Sequence, residues 1–242
     1  MAYRLVEFEL SRPLPAIELT PKEDGVGLIG RWHDQLIGFE MIAAAPGSTL
    51  SAEEIRTLAD RHFASRVLIA MMEAELVPGR LTAAPLPSLS IAICTKDRAE
   101  RLSRLLRSLE AVRNHSPFGP VEIVVVDNAS TDSATREAVE SFNDIRYVFE
   151  PKAGLDFARN AALHAAAGAL IAYLDDDVVV DRNWLMGLAK ACGDNPGAGG
   201  FTGLVLPYRL DTEAQIYFER RGGFGRGFYR NEFRGSRFDN PL

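Results

Sequence analysis

Apolar and polar positions along the chain change their rhythm near residue 85. Before it, Tyr3-Arg4-Leu5-Val6-Glu7-Phe8-Glu9-Leu10 alternates with the period of a half-buried strand. Residues 26–31 and 36–42 predict a hairpin around His33-Asp34-Gln35. Ser51-Ala52-Glu53-Glu54 is a capping-box start, and Ile55, Leu58, Ala59, His62 and Phe63 follow at helical spacing, the pattern running to about Leu76. His33 and His62 have no neighbours at ligand spacing and read as structural or surface residues. Small residues and prolines over Leu81-Thr82-Ala83-Ala84-Pro85-Leu86-Pro87-Ser88 then read as a linker.

After the linker, strands alternate with helices. Continuous apolar runs over 89–94, 121–126, 145–149 and 169–174 predict four strands. Helices are expected over 98–112, 133–142, 156–167 (closed by Gly168) and 182–192 (closed by Gly193). Alternating elements with strands apolar on both faces imply an α/β fold: a mainly parallel sheet with helices on both faces. The expected organisation is a small α+β N-terminal domain over 1–84 and an α/β domain over 85–242.

Composition narrows the function classes. A formal net charge of −6 over 242 residues argues against a chain held globally on nucleic acid. Cys94 and Cys192 lie far apart, outside any C-x-x-C spacing, and read as buried free thiols. The first residues lack the apolar core of a signal peptide and no apolar run reaches membrane-spanning length. A cytoplasmic location is expected, with peripheral association to membrane-borne substrates left open.

The chemistry collects at strand ends, where parallel sheets bind ligands. Three clusters fall there: Thr95-Lys96-Asp97-Arg98, Asp127-Asn128-Ala129-Ser130-Thr131-Asp132, and Asp175-Asp176-Asp177. The last is the most informative. Three adjacent carboxylates repel one another, no basic residue lies nearby to pair with them, and a divalent cation with oxygen ligands accounts for the arrangement. Asp127, just past its strand, is placed to accept an N–H from a nucleobase; its plainer role is an Asx turn or helix cap, for which Ser130, Thr131 and Asp132 are better suited.

In order, Ser90-Ile91-Ala92-Ile93-Cys94-Thr95-Lys96-Asp97-Arg98, Glu122-Ile123-Val124-Val125-Val126-Asp127-Asn128-Ala129-Ser130-Thr131-Asp132, Gly154-Leu155-Asp156-Phe157-Ala158-Arg159-Asn160 and Tyr173-Leu174-Asp175-Asp176-Asp177 resemble the family 2 glycosyltransferases of the GT-A (Rossmann-like) fold. The resemblance covers residues 89–206 and not the first eighty or so. It implies an inverting, metal-dependent transfer of a sugar from a nucleoside-diphosphate sugar, by preference a UDP-sugar, to a saccharide, lipid or protein acceptor. It further implies that Thr95 and Asp97 line the nucleotide pocket, Asp127 accepts from the uracil imide, and Arg159 lies beside the nucleotide. The Asp-x-Asp of Asp175 and Asp177 would hold the ribose and a Mg²⁺ or Mn²⁺ ion, with Asp177 the principal metal ligand and Asp176 counted with the nucleotide-binding residues.

Inversion needs a general base to take the acceptor's proton. In the family it lies well downstream of the Asp-x-Asp, often in a Glu-Asp pair after a Gly-rich segment, and no such pair is present here. Asp211, Glu213 and Glu219 match no family position, so no base is assigned and the chain is expected to be truncated at its C-terminus. Two other readings compete. Glu219-Arg220-Arg221-Gly222-Gly223-Phe224-Gly225-Arg226-Gly227-Phe228-Tyr229-Arg230 interleaves arginine, glycine and aromatics as RNA-binding segments do. Asp175-x-Asp177-x-Val179 also fits the nucleophile motif of HAD-type phosphatases, which normally sits on the first strand of its domain rather than the fourth.

Overall fold

A computed structural model describes residues 1–76, 85–225 and 227–233. They fall into two compact units, one drawn from Met1–Pro78 and Gly203–Leu242 and the other from Gly79–Thr202.

The first unit is built on a three-stranded sheet. Strand β1 (Arg4–Glu9) pairs in parallel with β3 (Gly25–Trp32), which pairs antiparallel with β4 (Gln35–Ala43); β2 (Ile17–Glu18) and β5 (Thr49–Leu50) form a separate two-stranded ladder. The expected hairpin closes at His33 and Asp34, whose φ angles of 45° and 71° are the positive pair that a two-residue hairpin turn needs. Glu9 accepts both turn amides, His33 N at 3.1 Å and Asp34 N at 3.0 Å. Helix α1 (Ala52–Leu76) starts in the predicted capping box: Ser51 Oγ accepts from Glu54 N at 3.2 Å, and the Glu54 carboxylate accepts from Ser51 N at 2.8 Å. Its Ile55, Ala59 and Phe63 pack with Phe8, Val26, Leu28 and Ile37 on one face of the sheet. Gly30 and Gly38 make room for Phe63, since a Cβ at Gly38 would stand 2.4 Å from its ring.

The opposite face of that sheet is covered by residues from the far end of the chain. Tyr3 N donates to Leu210 O at 2.8 Å, and Tyr3, Leu210 and Ile216 form a small core with Leu5, Phe39 and Met41. Ile216 belongs to α6 (Glu213–Arg220), which opens on a second capping box between Thr212 and Gln215. The sequence pattern places residues beyond 202 in the α/β domain; the described residues 203–225 and 227–233 group instead with the first unit, where apolar positions on β1 and β4 and on this segment bury one another.

The second unit is the expected parallel sheet. Strands β6 (Leu89–Thr95), β7 (Glu122–Asn128), β8 (Ile145–Glu150) and β9 (Leu170–Asp175) lie in the order β8-β7-β6-β9, all parallel. Helices α2 (Ala99–Arg113), α3 (Ala134–Glu140) and α5 (Trp184–Asp194) cover one face, where Leu102, Leu105, Leu106 and Leu109 of α2 are fully buried against Leu89, Ile91 and Ile93. Each such leucine contributes about 1.5–3 kcal/mol. Helix α4 (Leu155–Ala165) covers the other through Ala158 and Ala162, packed against Ala92, Val124 and Val126.

Two expected helix stops differ. Helix α4 ends at Ala165, and Gly168 serves a close approach instead, since a Cβ there would stand 2.6 Å from Ser90 N. Helix α5 runs through Gly193 to Asp194. The two cysteines are free but half-buried rather than buried. Burial pushes the Cys94 thiol up to about 11, against an opposing pull from Arg159.

Candidate functional site

Strand order and register decide where a ligand site forms. The chain goes β6, β7, β8 outward and then returns to β9 on the other side of β6, so the crossovers diverge between β6 and β9. The carboxyl ends flanking such a switch point are where parallel sheets open a crevice. Register sets Thr95 beside Asp127, and Cys94 beside Asp175. All three polar clusters therefore share the carboxyl edge of one sheet, as the sequence predicts.

The acidic triplet divides by side-chain direction. Asp176 points inward and is 5% exposed; its Oδ2 accepts from the buried Thr95 hydroxyl at 2.8 Å and its Oδ1 from Arg98 at 3.1 Å. Asp175 and Asp177 stay exposed. The expectation that no basic residue pairs with the triplet is corrected here. Arg98 and Arg101, at the start of α2, supply the charge, with Arg101 3.4 Å and Arg98 4.0 Å from Asp177 Oδ2. Sequence proximity could not show it, because these partners lie 76 to 79 residues away.

Asp127 also differs in its surroundings. It is 1% exposed and both oxygens are engaged, Oδ1 by Ser130 N at 3.1 Å and Oδ2 by the Tyr147 hydroxyl at 2.7 Å. This is the turn-holding role, which the sequence reading gave to its neighbours; Asp132 does cap locally, accepting from Ala134 N at 3.0 Å. Asp97 sits in the left-handed region, φ 52°, where its Oδ1 accepts from Thr131 N at 2.7 Å and Thr131 Oγ1 at 3.0 Å. These bonds, the backbone one first, hold its carboxyl below the usual range. Thr95 is buried and spends its hydroxyl on Asp176, so Thr95 and Asp127 build the walls of the edge, whereas Asp97 is exposed.

Arg159 is different. It is exposed on α4, its charge reaches the Cys94 thiol beside Asp175, and among the described residues its guanidinium has no hydrogen bond or ion pair. Sequence reasoning missed Asn128. Its amide spans the β8–α4 loop, donating to Lys152 O at 2.7 Å and accepting from Gly154 N at 2.8 Å, and so fixes the entry to the helix that carries Arg159. Only the strand-end position of Asn128 could have signalled this.

Among the described residues no three His, Cys, Asp or Glu side chains converge as a metal cage. Exposed Asp175 and Asp177 nonetheless suit a Mg²⁺-type ion, which takes one or two protein carboxylates and completes its shell with phosphate oxygens and water.

A sequence model described as glycosyl transferase family 2 matches residues 90–232. The chain belongs to that family. Among curated relatives, the succinoglycan biosynthesis protein ExoM of Rhizobium meliloti is 37% identical over 107 residues, which are 42% of this chain and 34% of ExoM. A glucosyl-dolichyl phosphate glucuronosyltransferase of Haloferax volcanii is 26% identical over 136 residues, 54% of this chain and 42% of that protein. The chain thus spans well under half of either relative. Among solved structures, S. aureus TarS is 23% identical with a TM-score of 0.40, covering 50% of this chain and 38% of that one. A mannosyltransferase of Pyrobaculum calidifontis is 26% identical with a TM-score of 0.37, covering 57% and 41%.

The two competing readings lose ground on geometry. Arg220 donates to the Tyr3 hydroxyl at 2.7 Å and Arg221 lies over the Tyr217 ring at 4.9 Å, so these arginines of the Gly-rich segment are turned onto the protein's own aromatics. The Asp-x-Asp ends the fourth strand of its sheet in chain order, not the first. No helix among the described residues is long and apolar enough to cross a membrane.

Proposed function

We propose that the carboxyl edge of the second unit binds the donor of a glycosyl transfer, a nucleoside-diphosphate sugar together with a divalent cation. UDP is the preferred nucleotide, and transfer proceeds with inversion onto a saccharide, lipid or protein acceptor. The observation that carries the reading is the separation of roles at the switch point: Asp176 braced inward, Asp175 and Asp177 left exposed, and an exposed Arg159 whose guanidinium has no partner among the described residues.

The roles follow from charge. As the acceptor oxygen bonds to the anomeric carbon and gives up its proton to a general base, the bond to the diphosphate breaks and negative charge collects on the leaving phosphate. Exposed Arg159, with Arg98 and Arg101 at the start of α2, offers it positive charge. Asp177, with Asp175, would hold a Mg²⁺ or Mn²⁺ ion that supplies Lewis-acid stabilisation of that same charge when bound. Asp97, Thr95 and Asp127 keep the three loops at the spacing the nucleotide needs.

A thermal-shift screen of UDP, GDP and dTDP with and without Mn²⁺ tests the reading, because a ligand that binds only the folded state must stabilise it. A metal-dependent rise in Tm with a nucleoside diphosphate is expected. No rise with any of the three would refute it.

A further inference from the structure

One residue at this edge belongs to no motif, yet a chain of hydrogen bonds begins from it. Tyr147 lies on the outer strand β8, its ring half-buried, and its hydroxyl donates to Asp127 Oδ2 at 2.7 Å. Asp127 Oδ1 accepts from Ser130 N at 3.1 Å, and Ser130 Oγ accepts from Asp97 N at 2.9 Å. Asp97 returns the link by accepting from Thr131 N at 2.7 Å. The outermost strand is therefore tied through the β7–α3 turn to the β6–α2 loop.

Asp97 (φ 52°) in this relay, and Ala129 (φ 56°) in the turn it spans, hold the left-handed conformation. Such backbone persists only where its surroundings over-determine it. The bonds from Asp127 and Thr131 are what determine it here. Burial, and then the Asp127 carboxylate, push the Tyr147 hydroxyl up to about 12.

We propose that Tyr147 is a positioning residue of the nucleotide pocket: by holding the Asp127 carboxylate it fixes the β7–α3 turn and, through Ser130, the Asp97 loop that borders the base and ribose. The proposal rests on the reading of this edge as a nucleoside-diphosphate site. It separates the two halves of the ligand. Asp176, which lies between Asp175 and Asp177, is held by Thr95 and Arg98, and no hydrogen bond of the relay passes through Asp176.

The test is calorimetric titration of the full chain, in Mn²⁺, with whichever of UDP, GDP and dTDP binds the wild type most tightly, and in parallel with pyrophosphate. Tyr147→Phe removes the hydroxyl alone. Losing one hydrogen bond should raise the nucleotide Kd about three- to tenfold and leave the pyrophosphate Kd unchanged. Ser130→Ala should do the same, and the double variant should lose less than the sum, since both interrupt one relay. Tm recorded for each variant separates a general loss of fold, which would weaken both ligands together. An unchanged nucleotide Kd in Tyr147→Phe, or equal weakening of nucleotide and pyrophosphate, would overturn the proposal while leaving the site reading intact. A wild type that binds pyrophosphate but no nucleoside diphosphate would overturn both.

Discussion

Replacing Asp176 with alanine should cost stability, because this carboxylate is a brace and not an exposed ligand. Its removal strands the Thr95 hydroxyl, which is 3% exposed and donates to Asp176 at 2.8 Å. A buried donor left without a partner costs about 1–3 kcal/mol. The ion pair to Arg98 adds less: that side chain is 51% exposed, and exposed pairs are worth about 0–1 kcal/mol after screening. The expected loss is about 1–4 kcal/mol, which for a unit of this size lowers Tm by roughly 3–16 °C. Asp176→Asn keeps an oxygen for Thr95 and should lose about 1 kcal/mol or less. Thermal and urea unfolding followed by circular dichroism read both variants. A stable Asp176→Ala protein that had lost Mn²⁺-dependent nucleotide binding would refute the reasoning and make Asp176 a direct ligand.

Two further outcomes follow from the same edge and its opposite end. Asp127→Ala leaves the Tyr147 hydroxyl and Ser130 N without their acceptor and should lower unfolding free energy by about 1–3 kcal/mol, read as a fall in the urea midpoint; unchanged stability with altered preference among nucleobases would instead restore a direct base contact. Glu122 accepts from Ala167 N at 2.8 Å and from Ser90 Oγ, and these bonds, in that order, hold its carboxyl below the usual range. A depressed folded-state pKa gives stability that is present above the unfolded value, near 4.5, and is lost as pH falls through the folded one. Glu122→Gln should therefore flatten the fall in stability below about pH 4.5, and an acid limb identical to wild type would contradict this.

What the sequence made legible is what local pattern dictates. Continuous apolar runs identified all four parallel strands, the Ser51 capping box placed the start of α1, and His33-Asp34 marked the hairpin turn. The carboxyl edge was legible too, since it follows from strand–helix alternation. Side-chain direction was not. Nothing in Asp175-Asp176-Asp177 says which carboxylate turns inward; that depends on Thr95 and Arg98, about eighty residues earlier and adjacent only because β6 pairs with β9. Likewise nothing local shows that the second Asp127 oxygen is taken by Tyr147, which lies on another strand. The packing of Leu210 and Ile216 beside Tyr3 spans more than two hundred residues and leaves no periodic trace, since α6 buries only Ile216.

The central claim is that Asp177 and Asp175 hold a cation which in turn holds a nucleoside diphosphate. Asp177 is 44% exposed and paired only with exposed arginines among the described residues, so Asp177→Ala should leave the unfolding free energy within about 1 kcal/mol of wild type. Calorimetric titration of that variant with UDP, with and without Mn²⁺, is the most direct measurement. The account predicts that wild type binds UDP more tightly in Mn²⁺ and that Asp177→Ala loses the Mn²⁺-dependent gain while keeping its fold. An Mn²⁺-dependent gain of the same size in the variant would contradict it.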